Sequence, residues 1–289
     1  MSNRYFGRGS CNGSFGELLQ GTLGAHNEDF LVTLPISCSS RAIFTFEPDL
    51  PTLRVSPRHK WKSRQLAVSI LNRYGFPERG RLLLLSELPE GKGMASSTAD
   101  LVATSRAIES CFAIHIPLMV LERLISSIEP SDGVMHPGIV AFFHRRVQLL
   151  RLLGTLPRLC IVAIDEGGRL DTIQFNKEHR EFTSEEQGEY RDLLKRLSTA
   201  IETRNLGAVG EIATQSAIMN QRHNPKRTLN AFLEVRREVG ALGIVVAHSG
   251  TCLGVLLWPG DPQCRMQLQQ VRRDARALGM DVSIYSSLP

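Results

Sequence analysis

The chain has 289 residues, of which 42% are hydrophobic and 22% charged, and its formal net charge is +5. That length allows one or two domains with a large core, and the composition is that of an ordinary globular protein rather than a disordered or disulfide-built one. No apolar run approaches the roughly 20 residues needed to span a bilayer, and the segment Met1 to Arg8 has no signal-type apolar stretch, so no membrane contact and a cytoplasmic location are expected.

The six cysteines (Cys11, Cys38, Cys111, Cys160, Cys252, Cys264) are scattered without a Cys-x-x-Cys pair and read as reduced. The eight histidines, His136 and His144 included, lack metal-ligand spacing, which weighs against a structural zinc. Basic clusters run over 54–64, at Arg145-Arg146 and over 222–227. Few aromatics accompany them, so a solvated face, or a favourable potential for an anionic nucleotide, explains them better than nucleic acid does.

In chain order, residues 30–34 and 41–46 predict strands, with Ile43, Phe44 and Phe46 supplying β-favouring bulk. Residues 61–74 predict an amphipathic helix ended by Gly75 and Pro77. The leucine run at 81–86 predicts a buried strand, 96–113 a helix with apolar spacing through Leu101, Val102 and Ile108, and 118–128 a further helix stopped by Pro130. Near Arg158 the pattern restarts with a strand at 159–164, a Glu166-Gly167-Gly168 turn and a partner strand through Ile173 and Phe175. Helices follow at 184–202, 206–220 and 228–242, then strands at 243–247 and 252–257, a helix at 263–278 and a short last strand. The order predicts an α+β protein of two units, 1–150 and 151–289.

Most informative is Pro89-Glu90-Gly91-Lys92-Gly93-Met94-Ala95-Ser96-Ser97-Thr98-Ala99-Asp100, which joins the 81–86 strand to the 96–113 helix. Glycines at 91 and 93 permit positive φ and close approach of a ligand, while Ser96, Ser97 and Thr98 open a helix whose first amides lack intrahelical partners. The helix dipole and Lys92 favour an anion, and hydroxyls can ligate the magnesium ion of a nucleotide, which suits polyphosphate. An ordinary loop with a serine helix cap is the competing account. A Walker A loop, a dinucleotide fingerprint and a protein-kinase signature set are each excluded by missing residues.

The 89–98 segment resembles the second motif of the GHMP kinases (galactokinase, homoserine, mevalonate and phosphomevalonate kinases), usually written Pro-x-x-x-Gly-Leu-Gly-Ser-Ser-Ala. The departures Met94, Ala95 and Thr98, together with Ala99-Asp100, resemble the branch of L-threonine kinases in the cobalamin pathway. Residues 11–21 (Cys-Asn-Gly-Ser-Phe-Gly-Glu-Leu-Leu-Gln-Gly) resemble that branch's first motif, and 246–255 (Val-Ala-His-Ser-Gly-Thr-Cys-Leu-Gly-Val) its third. Residues 129–133, 165–168 with Asp171, Thr172, Phe175 and Asn176, and 213–217 with Asn220 and Gln221 are similar to further segments of that branch.

The resemblance implies the two-domain GHMP kinase fold, with a ribosomal protein S5 domain 2-like N-terminal domain, a ferredoxin-like C-terminal domain and a site in the cleft between them. It implies ATP and Mg²⁺ as cofactors and phosphorylation of the side-chain hydroxyl of L-threonine to O-phospho-L-threonine, a product that feeds the aminopropanol arm of cobalamin. The alternatives are a kinase of another small hydroxy amino acid or alcohol, such as homoserine or serine, and a non-catalytic nucleotide- or RNA-binding relative. A homodimer is compatible with all of these.

By the same resemblance, Pro89, Glu90, Gly91, Lys92, Gly93, Met94, Ala95, Ser96, Ser97 and Thr98 form the nucleotide loop. Ser97 supplies a hydroxyl to magnesium, with Glu129 as the metal carboxylate and Glu122 its rival. Asp132 sits beside the acceptor hydroxyl as base, against the simpler account of a turn aspartate before Gly133. Ser14 stands where many of these kinases carry lysine. Glu17 contacts magnesium or the substrate amine, a helix-start glutamate being its simpler reading. Gly250 and Gly254 permit the third motif to pack under the phosphate loop, with Ser249 and Thr251 near substrate or phosphates. An amino-acid acceptor needs an anion and a cation, preferably a bidentate arginine, and Asp171, Asn220, Gln221 and Arg222 are the candidates.

Overall fold

Two 19-residue strands, Tyr5–Leu23 (β1) and Glu28–Phe46 (β2), form the centre of the fold. They pair antiparallel from Tyr5↔Phe46 to Leu23↔Glu28, with register shifts between Asn12 and Leu19. At those shifts simple alternation fails, and every residue from Gly13 to Gln20 is buried, so the strand is covered on both faces there. The 30–34 and 41–46 strands expected from composition are thus two ends of one strand. Its middle, Pro35 to Ser40, is polar enough to read as a loop, but pairing with β1 and the following strand supplies its backbone partners.

The computed structural model describes residues 5–24, 27–167 and 182–289. Beyond the central pair these form Leu53–Ser56 (β3), Trp61–Arg73 (α1), Gly80–Ser86 (β4), Ser96–Phe112 (α2), Leu118–Ser126 (α3), Ile139–Phe143 (β5), Gln148–Gly154 (β6) and Cys160–Asp165 (β7). Then come Ser184–Glu202 (α4), Leu206–Asn220 (α5), Leu229–Val239 (α6), Gly243–Val246 (β8), Cys252–Leu257 (β9), Cys264–Ala277 (α7) and Val282–Ser286 (β10). The expected helices recur within a few residues, whereas the β5–β6 hairpin was not anticipated. The partner strand expected through Ile173 and Phe175 lies outside the described residues.

Among the described residues the strands make one ten-stranded sheet, ordered β10-β7-β9-β8-β1-β2-β4-β3, with β5 and β6 branching from β2. Its first-half and second-half strands meet at the pairing Glu17↔Val246, and an isolated bridge joins Ile36 to Ser287. Helix α2 lies on β1 and β2, and α5 lies on β1 and β8. A larger apolar cluster, including Phe15, Phe30, Phe44, Val102 and Phe142, and a smaller one around Val162, Phe232, Ile244 and Val271 form the interior. A capping box starts α4, Thr183 Oγ1 accepting from Glu186 N–H while the Glu186 carboxylate accepts from Thr183 N–H.

The seating of α2 on β1 is closer than side chains allow. A Cβ on Gly7 would lie 2.2 Å from both Ala107 O and Cys111 N, and one on Gly9 would lie 2.3 Å from Ala103 O. These two glycines set how near the helix carrying the phosphate-loop serines comes to the sheet. Gly7→Ala is expected to lift α2 and cost about 1–3 kcal/mol, read as a lower urea midpoint; a wild-type midpoint would show that the helix shifts without penalty.

Candidate active site

Between β4 and α2 the backbone alternates. Gly91, Gly93 and Ala95 have φ of 72°, 77° and 54°, while Lys92 and Met94 between them stay outside that left-handed region. Such alternation turns successive N–H groups to one side, making a nest for an anion, and the unpaired amides of the first α2 turn continue it. The residue capping α2 is Ala95, which has no side-chain capping bond. The serine-cap account of this segment is therefore not the one realised.

The nest opens on a cleft of about 260 Å³ whose other walls are the start of α1, the segment Glu129–Asp132 and Ser249. Ser97 Oγ donates to Glu129 Oε1, and Lys62 Nζ donates to Glu129 Oε2. Lys60 Nζ lies 2.5 Å from both Glu90 and Asp100, and Ser40 Oγ also donates to Asp100. Lys60 and Lys62 belong to the basic 54–64 cluster, whose sequence fits either a solvated face or a favourable potential for an anionic nucleotide. Only the packing of α1 beside the loop turns them to the cleft, and their place at a helix start was the available local signal.

Asp132 lies on the cleft wall, its backbone N–H donating to Thr98 Oγ1 at 3.3 Å. Burial, and then the Glu129 carboxylate, push its pKa up to about 6. Glu17 is 3% exposed, and its Oε2 has no hydrogen-bond partner among the described residues. Burial, then the charge of Asp132, raise its pKa well above the ordinary carboxylate value. Glu17 sits within β1 opposite Thr33 and Val246, which overturns its reading as a helix-start glutamate. Each of two neighbouring carboxyls disfavours ionisation of the other.

The three motif-like segments meet at the loop. Ser14, buried in β1, donates its N–H to Met94 O at 3.3 Å. A Cβ on Gly250 would fall 2.2 Å from Lys92 O, so the 249–251 turn packs against the phosphate loop backbone. Lys226 Nζ and Asn224 Nδ2 donate to Gly250 O at 2.8 and 3.3 Å and hold that turn. Burial brings the Lys226 pKa down to about 8. Lys92 itself turns to Asp165, Nζ to carboxylate 2.6 Å, and Thr251 Oγ1 donates to the same carboxylate.

The remaining candidates separate. Glu122 is engaged by His136 at 2.8 Å and by the Leu149 N–H, away from the cleft, which removes it as the rival metal carboxylate. Arg222 pairs with Glu186 at 2.7 Å and does not line the cleft. Gln221 bonds the backbone of Lys226, while buried Asn220 lines a separate small cavity. Asp171 lies outside the described residues. All six cysteines are free, and no cluster of three metal-ligating His, Cys, Asp or Glu side chains occurs among the described residues.

Residues 63–144 match the profile of the GHMP kinases N terminal domain. This stretch, which holds the phosphate loop, is similar to that domain. The chain is 29% identical to an L-threonine kinase of Salmonella typhimurium, over 86% of its own length and 81% of that protein's. It is 28% identical to an L-threonine kinase of Citrobacter freundii, over 86% of its length and 85% of that protein's. The homoserine kinase of Cytophaga hutchinsonii has the same fold, with a TM-score of 0.72 at 12% identity, covering 100% of this chain and 95% of that one. The chain is an ATP-dependent phosphotransferase with an alcohol acceptor. No described helix is long and apolar enough to cross a membrane.

One residue of its nest is strained. Ala95 holds a left-handed backbone that costs an L-residue with a Cβ about 1–2 kcal/mol. Ala95→Gly is therefore expected to raise the unfolding free energy by about 1 kcal/mol, measured by thermal or urea denaturation; a destabilised variant would mean that the Ala95 methyl packing outweighs the strain.

Proposed function

We propose that this protein is a GHMP kinase that transfers the γ-phosphoryl group of ATP to the side-chain hydroxyl of L-threonine, giving O-phospho-L-threonine and ADP. The acceptor rests on the two L-threonine kinases that align over 86% of the chain. The chemistry rests on one observation above all. Asp132, a half-buried carboxylate with a pKa of about 6, lines the cleft into which the 91–95 nest also opens.

In this reading the nest amides and the first turn of α2 hold the polyphosphate, and Lys60 and Lys62 add positive potential beside it. Ser97 Oγ and Glu129, already paired on the cleft wall, are two hard oxygen donors that fit a magnesium ion accompanied by phosphate oxygens and water. When bound, that ion neutralises charge on the β- and γ-phosphates. Asp132 takes the proton from the acceptor hydroxyl as its oxygen bonds to phosphorus and the γ-phosphorus to bridging-oxygen bond breaks, leaving ADP. Glu17, whose carboxyl pKa is raised by burial and by Asp132, is a poorer metal ligand than Glu129. Thr98 keeps the Asp132 backbone tied to α2, so base and cradle share one rigid element.

The decisive assay is ADP release with Mg-ATP against L-threonine, D-threonine, L-serine, L-homoserine and mevalonate. Selective turnover of L-threonine is expected; selective turnover of another alcohol would overturn the acceptor, and silence across the panel would overturn the reading. Asp132→Asn should lower kcat by about 100-fold or more, and near-normal turnover would remove Asp132 as base.

The pH dependence has a definite sign. A base must be unprotonated, so kcat/KM for the acceptor should be level above the Asp132 pKa of about 6 and fall as pH drops through it. A profile without an acid limb between pH 5 and about 7 would contradict the assignment.

A further inference from the structure

Lys62 is a cation where helix electrostatics disfavour one. It is the second residue of α1, a helix with no acidic residue in its first turn, and the dipole at that end is positive. Its neighbour Lys60 is compensated twice, by Glu90 and by Asp100. Lys62 has one ion pair among the described residues, with Glu129 Oε2, and its ammonium lies 5.7 Å from the centroid of the Trp61 ring. The Lys62 side chain is 23% exposed and that of Glu129 8%, so water screens this pair less than an ordinary surface pair.

Glu129 is the carboxylate whose donor chemistry fits magnesium, and both of its oxygens are engaged, Oε1 by the Ser97 hydroxyl and Oε2 by Lys62. A hard dication is drawn to a carboxylate chiefly by its negative charge. The Lys62 ammonium neutralises that charge and repels a second cation on the same group. A metal ion arriving alone therefore meets a pair that is already close to neutral. ATP reverses the balance, because its β- and γ-phosphates bring enough negative charge beside Ser97 for the metal and the ammonium together. The four-carbon stem of a lysine is flexible enough to serve either partner.

We propose that Lys62 is a place-holding cation: on Glu129 it keeps free divalent metal off the site, and it pairs with the phosphates when the metal arrives together with ATP. The assignment rests on the Ser97 and Glu129 metal site of the reading above and deepens it. Lys62 becomes the residue that couples metal entry to nucleotide entry, and such coupling is reciprocal, so each ligand strengthens the binding of the other. It also explains two lysines at a helix start without an acidic residue, one spent on loop carboxylates and the other on the metal carboxylate.

Lys62→Met and Lys62→Gln remove the ammonium and Lys62→Arg keeps the charge, each checked for an unaltered melting temperature. Mn²⁺, a paramagnetic substitute for Mg²⁺, is titrated into each protein without nucleotide, and the free ion is read by electron paramagnetic resonance. The two neutral variants should bind Mn²⁺ about tenfold tighter or more than wild type, and Lys62→Arg should stay within about twofold of it. The KM for Mg-ATP should move the opposite way, rising about tenfold in the neutral variants as the phosphates lose a cation. A merely structural lysine would weaken both. Unchanged or weaker Mn²⁺ binding, or an unchanged KM for Mg-ATP, in both neutral variants would overturn the proposal and leave the Ser97 and Glu129 site standing. Glu129→Gln added to Lys62→Met tests that site itself: the gained Mn²⁺ affinity should vanish, and its survival would place the metal elsewhere and refute the site and the proposal together.

Discussion

The cleft depends on one backbone approach, that of Gly250 against the carbonyl of Lys92. No side chain fits between them, and the contact is held from behind by Lys226 and Asn224 on the Gly250 carbonyl. Ser14 of β1 joins the same loop from another side through Met94 O. A nest with left-handed residues at 91, 93 and 95 is costly for a free loop to adopt, and these contacts over-determine it. Binding geometry is thereby set before a ligand arrives, so little ordering entropy is lost when one binds.

Around that fixed loop the electrostatics are graded by burial. Asp100 is nearly inaccessible but is compensated by Lys60 and Ser40. Glu129 is satisfied by Ser97 and Lys62. Burial and the Asp132 charge raise the Glu17 carboxyl well above the ordinary carboxylate value, and burial with the Glu129 charge raises Asp132 to about 6. Strand, helix and loop thus bring to one site two carboxyls paired with lysine and two raised by burial and by a neighbouring carboxyl.

Much of the architecture was legible locally. Helices at 61–74, 96–113, 184–202 and 206–220 are announced by their apolar spacing and stops, and recur as α1, α2, α4 and α5. The left-handed turns of the 91–93 loop were readable because positive φ leaves a signature in glycine placement. The long central hairpin was not, because 13–20 is buried on both faces and 35–40 is polar, so neither carries the alternation of a half-buried strand. Glu17 was misread for that reason. The places of Lys60 and Lys62 on the cleft wall were not legible, because what they face comes from distant parts of the chain.

The sequence by itself determined the α+β class and the left-handed turns at Gly91 and Gly93, since element periodicity and glycine placement act over a few neighbouring positions. Tertiary structure alone decided which carboxylates share a wall, that Glu129 and not Glu122 reaches the cleft, and that Lys92 turns to Asp165. Proton affinity and ion pairing depend on desolvation and on charges a few ångströms away. Those distances exist only once β1, α2 and the turn at 249–251 have been brought together.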